Sequence, residues 1–275
     1  MRITILLLLS CAVWAQTPKK KGTQASDDQK GYTDTPLIPG QQWRVHDAAR
    51  ARPVKVAPGR PLAGIPAPAD ADVLFDGTDL SKWIIKSRAG EIAPPNWKVE
   101  NGYVEIVSPA GMRWNLVTKD KYGDCQLHLE WMIPEHVNGR GQGGGNSGVE
   151  LMSRYEIQVL ESWENLTYAD GQAAALYGQW PPMVNASARK GDWNSYDIFF
   201  EAPRFNGETL VKPGYITVVH NGVLVHHRRE ILGPAAHRRN APYRAHEREE
   251  PLSLQDHGHP VRYRNIWIRR LKETP

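Results

Sequence analysis

Short runs with period-two alternation, and no helical period anywhere, limit the fold of this chain more than any other feature. Gln126-Leu-His-Leu-Glu-Trp-Met-Ile133 sets Leu127, Leu129, Trp131 and Ile133 on one side and Gln126, His128, Glu130 and Met132 on the other. That is the spacing of a strand with one face in a core. Tyr196–Glu201, Tyr215–His220, Val223–His226 and Arg264–Leu271 are further strand-like runs. Asn101-Gly102 and Asn221-Gly222 fall between such runs, and this residue pair is favoured in two-residue hairpin turns. Some 200 residues with this texture predict an all-β, antiparallel sandwich or barrel in one domain.

The chain has 275 residues, and the strand pattern starts only near residue 71. Residues 1–15 read as a signal peptide, with Arg2, a short apolar run and a small residue at Ala15. The run is too short to span a bilayer, which needs roughly 20 residues, and no later segment looks transmembrane. Export to the periplasm or the medium is the expectation. Leu8-Leu-Ser-Cys11 is also similar to a lipobox, which makes Cys11 an alternative point of lipid attachment. Residues 16–70 are rich in Pro, Lys, Gln, Asp and Ala and read as a linker with little fixed structure, with Trp43 and Val45 as local docking points. Residues 71–275 form the domain. With Cys125 the single cysteine after Ala15, stability must come from a core and not from a disulfide.

Net charge is +4. The basic clusters His226–Arg229 and His237–Arg239 have no stacking aromatics among them, so a nucleic-acid partner is not expected. The sequence sets no oligomeric state. The segment from Glu230 to Pro251 either covers a groove or makes an interface.

Chemistry concentrates in Gln142–Glu161, where a glycine loop runs into two strands. Alternation places Val149, Leu151, Tyr155, Ile157 and Val159 on the core face, and Glu150, Arg154, Glu156 and Gln158 on the other. A hairpin through Met152–Tyr155 sets Glu150 beside Glu156, with Arg154 next to them. Glu161 falls on the core side unless a bulge near Val159–Leu160 returns it. The spacing Glu156-x-Gln158-x-x-Glu161 resembles the acidic strand of retaining β-glucanases, which use two carboxyl groups roughly 5–5.5 Å apart. Gln158 stands where those enzymes carry Asp, which argues against conventional hydrolysis. A second constellation, Asp256-His257-Gly-His259, precedes the last strand and offers His257 as a base or metal ligand. Trp43, Trp163, Tyr168, Trp180 and Trp193 offer stacking surfaces for sugar rings.

Leu74–Trp83 resembles the opening of the 3-keto-disaccharide hydrolase domain family. Gly145–Glu150, Tyr155–Glu161, Pro182–Ser187, Asp192–Asp197, Val219–Gly222, Leu254–Val261 and Tyr263–Ile266 continue the match in order. The resemblance implies a concanavalin A-like jelly roll of the lectin/glucanase type. It implies a carbohydrate substrate, namely glycosides whose glucose carries a ketone at C3, and a divalent metal. The chemistry would be C2-proton abstraction, β-elimination and hydration. On that basis His257 or Glu150 is expected as the base, with Glu156 beside them in catalysis. Glu150, Glu156 and His257 are the candidate ligands of a Ca²⁺, Mg²⁺ or Mn²⁺ ion. Asn146, Arg154, Gln158, Glu161, Trp193 and Asp256 are the candidate substrate-binding residues. The competing readings are a non-catalytic lectin-like domain, a retaining β-glucanase that uses Glu156 and Glu161, and a structural exported protein with a vestigial groove.

Overall fold

The computed structural model describes residues 30–58 and 64–272. Two antiparallel sheets enclose one core. Across the larger run Val223–Glu230, Tyr215–His220, Asn194–Glu201, Cys125–Met132, Arg262–Arg270, Tyr103–Glu105 and Lys98–Glu100, while Asp72–Phe75 pairs with the far part of Arg262–Arg270. Across the smaller run Ile92–Ala93, Trp83–Ser87, Trp114–Tyr122, Glu250–Leu254, Asn146–Leu151 and Tyr155–Leu160. Neighbouring strands are mostly distant in sequence, as in a jelly roll. Helical structure among the described residues is confined to three short 3-10 turns.

Alternation builds the core as expected. Leu127, Leu129 and Trp131 of the large sheet meet Val149, Ile157 and Leu254 of the small one in a single buried cluster. Each such side chain contributes about 1.5–3 kcal/mol by leaving water. Two tyrosines cross the core with their polar tips satisfied. Tyr196 Oη donates to Gln158 O (2.7 Å), and Tyr263 Oη donates to Ser147 Oγ (2.6 Å). Both bonds end on the strands that carry the acidic residues. The Asn101-Gly102 and Asn221-Gly222 turns have positive φ at both residues (48° and 78°; 52° and 78°), the geometry for which this pair is favoured.

The second face of Gln126–Ile133 is covered as well: His128 and Glu130 are buried. Residues near Gly64 and Ile65 reach this face, Gly64 N donating to Glu130 Oε1 (2.8 Å) and Asn265 Nδ2 to Ile65 O (3.0 Å). Arg264 pairs with Glu130, Asp197 with His128 (2.7 Å), and Trp267 stacks on the His128 ring at 5.2 Å.

The linker expected over 16–70 is, over residues 30–58, an ordered strap bound to the domain. Proline excludes regular elements there, but tertiary contacts take their place. Tyr32, Ile38 and Val45 are buried, while Trp43 lies half-buried at the surface near Arg50. Val56 N donates to Asn185 O and Asn185 N to Val54 O (both 2.9 Å). His46 is fully buried: its backbone N–H donates to Asp170 Oδ2 (2.9 Å), and its Nδ1 lies 3.2 Å from Oδ1. The leader, Cys11 and the rest of residues 1–29 lie outside the described residues. No described helix is long and apolar enough to cross a membrane.

Candidate active site

The strands Asn146–Leu151 and Tyr155–Leu160 pair so that Glu150 lies directly opposite Glu156 and Gly148 opposite Gln158. The turn between them holds Met152 and Ser153 at φ 54° and 53°. Gly148 is needed for space: a Cβ there would meet Glu156 Oε1 at 2.5 Å and its Cδ at 2.9 Å. The Glu156 side chain therefore lies back across Gly148, which gives the glycine of the Gly145-Asn-Ser-Gly148 motif a physical role.

This hairpin floors a cavity of about 620 Å³. Arg88, on the turn after Trp83–Ser87, and His257 and Gln255, from the segment after Glu250–Leu254, line it from one side. Tyr168, Tyr177 and the Pro234–His237 segment line it as well. Part of the stretch between Glu230 and Pro251, namely Pro234–His237, thus borders the groove. The strap backs this wall: the His46 ring lies 4.0 Å from Tyr168 and 4.8 Å from Tyr177.

A fixed amide network holds the deep end. Gln142 Nε2 donates to Gly171 O (2.8 Å) and Thr167 Oγ1 (3.0 Å), while its Oε1 accepts from Gln158 Nε2 (3.0 Å) and Asn146 Nδ2 (3.1 Å). This leaves Gln158 Oε1 facing Glu156 Oε1 and Ser147 O. Acceptors face each other there. Turned over, the same amide would place its nitrogen 2.9 Å from Glu156 Oε1 and 3.1 Å from Ser147 O. In that orientation the amide nitrogen donates to both acceptors.

Burial, then the neighbouring Glu150 charge, hold the Glu156 carboxyl well above its ordinary range, and Arg88 opposes this only in part. Burial also raises Glu150, against hydrogen bonds from Gln255 (3.5 Å) and Asn115 (3.2 Å). Two carboxyl groups that cannot both shed their protons easily make one proton-holding pair. His257 is shifted the other way: burial and the charges of Arg113, His259 and Arg88 push it down to about 4. It is a neutral imidazole at pH 7, and its buried Nδ1 has no partner.

Glu150, Glu156, His257, Asn146, Gln158 and Arg154 thus come together around one cavity. Three other candidates do not line it. Glu161 Oε1 accepts the backbone N–H groups of Trp163 (2.7 Å) and Glu164 (3.1 Å) and so ties the turn after the strand. Asp256 binds Ser108 Oγ (2.5 Å), Gly258 N (2.8 Å) and Trp114 N (3.2 Å), which fixes the loop that presents His257. Trp193 lies under the Arg264 guanidinium at 4.0 Å. Arg154 has Glu250 as its ion-pair neighbour (3.9 Å) and not Glu150. The sequence reading missed Arg88, Gln142, Tyr177, His237 and Gln255. Gln142, at the head of the glycine loop, and Gln255, in the Leu254–Val261 stretch, carried a local signal.

The ligand trio of Glu150, Glu156 and His257 does not form a metal cluster. Among the described residues no group of three or more His, Cys, Asp or Glu side chains is placed to hold a metal ion.

A jelly roll with an acid-lined cavity is consistent with a carbohydrate-active enzyme, and the comparisons point the same way. Residues 70–269 match the family model of the 3-keto-alpha-glucoside-1,2-lyase-like domain, and the chain belongs to this family. A candidate glycosyl hydrolase of Parabacteroides distasonis ATCC 8503, solved at 2.13 Å, is 36% identical, with 86% of this chain and 100% of that chain covered and a TM-score of 0.70. A second from the same organism is 22% identical over 73% of this chain and 99% of its own, with a TM-score of 0.51, a likeness of fold alone. No curated protein matches the chain.

Proposed function

We propose that this enzyme cleaves 3-keto-glucosides by elimination and hydration, with Glu150 and Glu156 as the proton-transfer pair. The observation that carries this reading is their direct cross-strand pairing on the floor of one cavity, with raised proton affinity. A ketone at C3 acidifies the C2 proton, because the resulting carbanion is an enolate. A carboxylate of raised pKa is a stronger base than an ordinary one, and it removes that proton. The electron pair moves to C1–C2, the C1–O bond breaks, and the leaving oxygen takes a proton from the partner carboxyl. Water then adds at C1 and a proton returns to C2, so the net change is hydrolysis.

His257 suits this scheme as a neutral hydrogen-bonding group more than as the base, because its low pKa makes it a weak one. The exposed Arg88, on the rim, supplies positive charge for the enolate oxygen. Asn146, Gln142 and Gln158 form a preorganised amide floor, which limits the reorganisation needed in the transition state. The retaining-glucanase alternative needs Glu161 as the second carboxyl group, and that carboxylate is engaged in a turn.

The test is release of the leaving group from a methyl or nitrophenyl 3-keto-glucoside against the unoxidised parent, in wild type, Glu150→Gln and Glu156→Gln, each with and without chelator. Turnover of the keto form alone, lost in both variants and indifferent to chelator, is expected. Full turnover in both variants would reject the assignment.

A further inference from the structure

A second cavity of about 340 Å³ adjoins the first, and Tyr177, Pro234 and Ala236 line both. The two linings differ in character. The first presents carboxyl, amide and guanidinium groups, whereas the second is faced by Pro39 of the strap and by Leu232, Ala241 and Pro242. The polar side chains around the second cavity are mostly engaged within the protein. Gln179 donates through Nε2 to Gly233 O (2.8 Å) and accepts the Leu232 N–H at Oε1 (2.8 Å). Asn240 Nδ2 donates to Leu37 O (2.7 Å). Tyr243 Oη donates to Ile231 O (2.6 Å) and accepts from Gly214 N (3.0 Å). Tyr177 Oη is bonded to Tyr168 Oη (3.0 Å) and His237 Nδ1 (3.1 Å). The exposed Arg239 is the lining side chain with donors to spare.

A second sugar placed here would bury hydroxyls against groups that have few hydrogen bonds left to give, and unpaired buried hydroxyls are unfavourable. An aromatic ring meets the opposite situation, since proline, leucine and tyrosine faces reward apolar contact. The volume is also that of a small-molecule site. We propose that this cavity is the leaving-group subsite and that it takes an aromatic aglycone in preference to a second sugar. The inference rests on the carboxylate cavity being the seat of the keto-sugar.

The experiment is equilibrium binding of benzyl α-glucoside, methyl α-glucoside and a glucosyl-glucose disaccharide to the full chain, without turnover. Benzyl α-glucoside should bind about tenfold tighter than the other two. Leu232→Asp should remove that margin while leaving methyl α-glucoside affinity unchanged. Ala241→Trp, which fills the cavity, should do the same and serves as the control should Leu232→Asp fail to fold. Equal affinity for the benzyl and methyl compounds, no detectable benzyl binding, tighter disaccharide binding, or an equal loss for all three would each overturn the subsite. A protein that shows the benzyl margin but turns over no 3-keto-glucoside leaves the subsite standing and rejects the elimination chemistry. Turnover of methyl 3-keto-glucoside without a benzyl margin does the reverse.

Discussion

Two clusters of buried charge sit on opposite sheets of this sandwich, and they are built on opposite principles. On the large sheet, burial alone would lower the His128 pKa, but hydrogen bonds with Asp197 and Glu130 outweigh it and lift it to about 9. Burial would raise Glu130, yet bonds from His128, Gly64, Asn265 and Arg264 bring it to about 2. Every charge there has an opposite partner, and the cluster pins the segment around Gly64 to the sheet. On the small sheet Glu150 faces Glu156, like against like, with one exposed arginine nearby. Full compensation makes a fastener, whereas incomplete compensation keeps protons available for transfer.

The largest expected effect breaks the second cluster. Glu156→Gln should lower turnover of a 3-keto-glucoside on the order of 10³-fold, as loss of a proton-transfer group does. The same change should raise the melting temperature at pH 8. The folded protein holds these carboxyl protons more tightly than the unfolded chain, whose value lies near 4.5. Their contribution to stability is therefore present at low pH and lost as pH rises from 4.5 through the raised folded values. Glutamine keeps the neutral form at every pH, so the stability profile of Glu156→Gln should be flatter on that side. A variant with wild-type turnover, or with a steeper fall toward alkaline pH, would contradict the comparison.

Breaking the compensated cluster should do the reverse. Glu130→Gln should destabilise the fold by about 3–5 kcal/mol, because it leaves His128 and Arg264 short of a partner. Chemical denaturation measures this, and turnover per folded molecule should stay near wild type. The pH signs also differ. The Glu130 contribution is full above 4.5 and is lost as pH falls toward about 2. The His128 contribution is full below 6.5 and is lost as pH rises through about 9.

A smaller effect probes the geometry of the pair. Gly148→Ala should displace the Glu156 carboxyl and lower kcat by about 10²-fold, the scale of a misplacement near 1 Å. Its KM should move less, since the added methyl group lies behind the carboxylate. Trp193→Ala should have the smallest effect. Trp193 lies under Arg264, outside the cavity, so sugar affinity should not change, and stability should fall by only about 0.5–1 kcal/mol. A clear loss of sugar binding would return Trp193 to the site.

The sequence made the sandwich legible because its strands obey period two and its turns carry Asn-Gly. The Glu150–Glu156 juxtaposition was equally readable, since one hairpin fixes it locally. Glu161 was misread because its neighbours alone do not show that its carboxylate closes a turn with Trp163 and Glu164. Arg88, Tyr177 and His237 were missed because loops distant in sequence bring them to the cavity. The strap was misread because its prolines exclude regular structure without excluding order. Its order comes from contacts such as His46 with Asp170, 124 residues apart, and no local pattern encodes them. The burial of His128 and Glu130 had the same origin, since their cover comes from a segment some 65 residues upstream.

The central claim is that a proton leaves C2 before the C1–O bond is lost and returns after water adds. Turnover of methyl 3-keto-glucoside in deuterium oxide tests it most directly, with the product's C2 position read by NMR against an enzyme-free control. One deuterium at C2 in each product molecule is the predicted result. Product that keeps its original C2 hydrogen would mean direct displacement at C1 and would contradict the account.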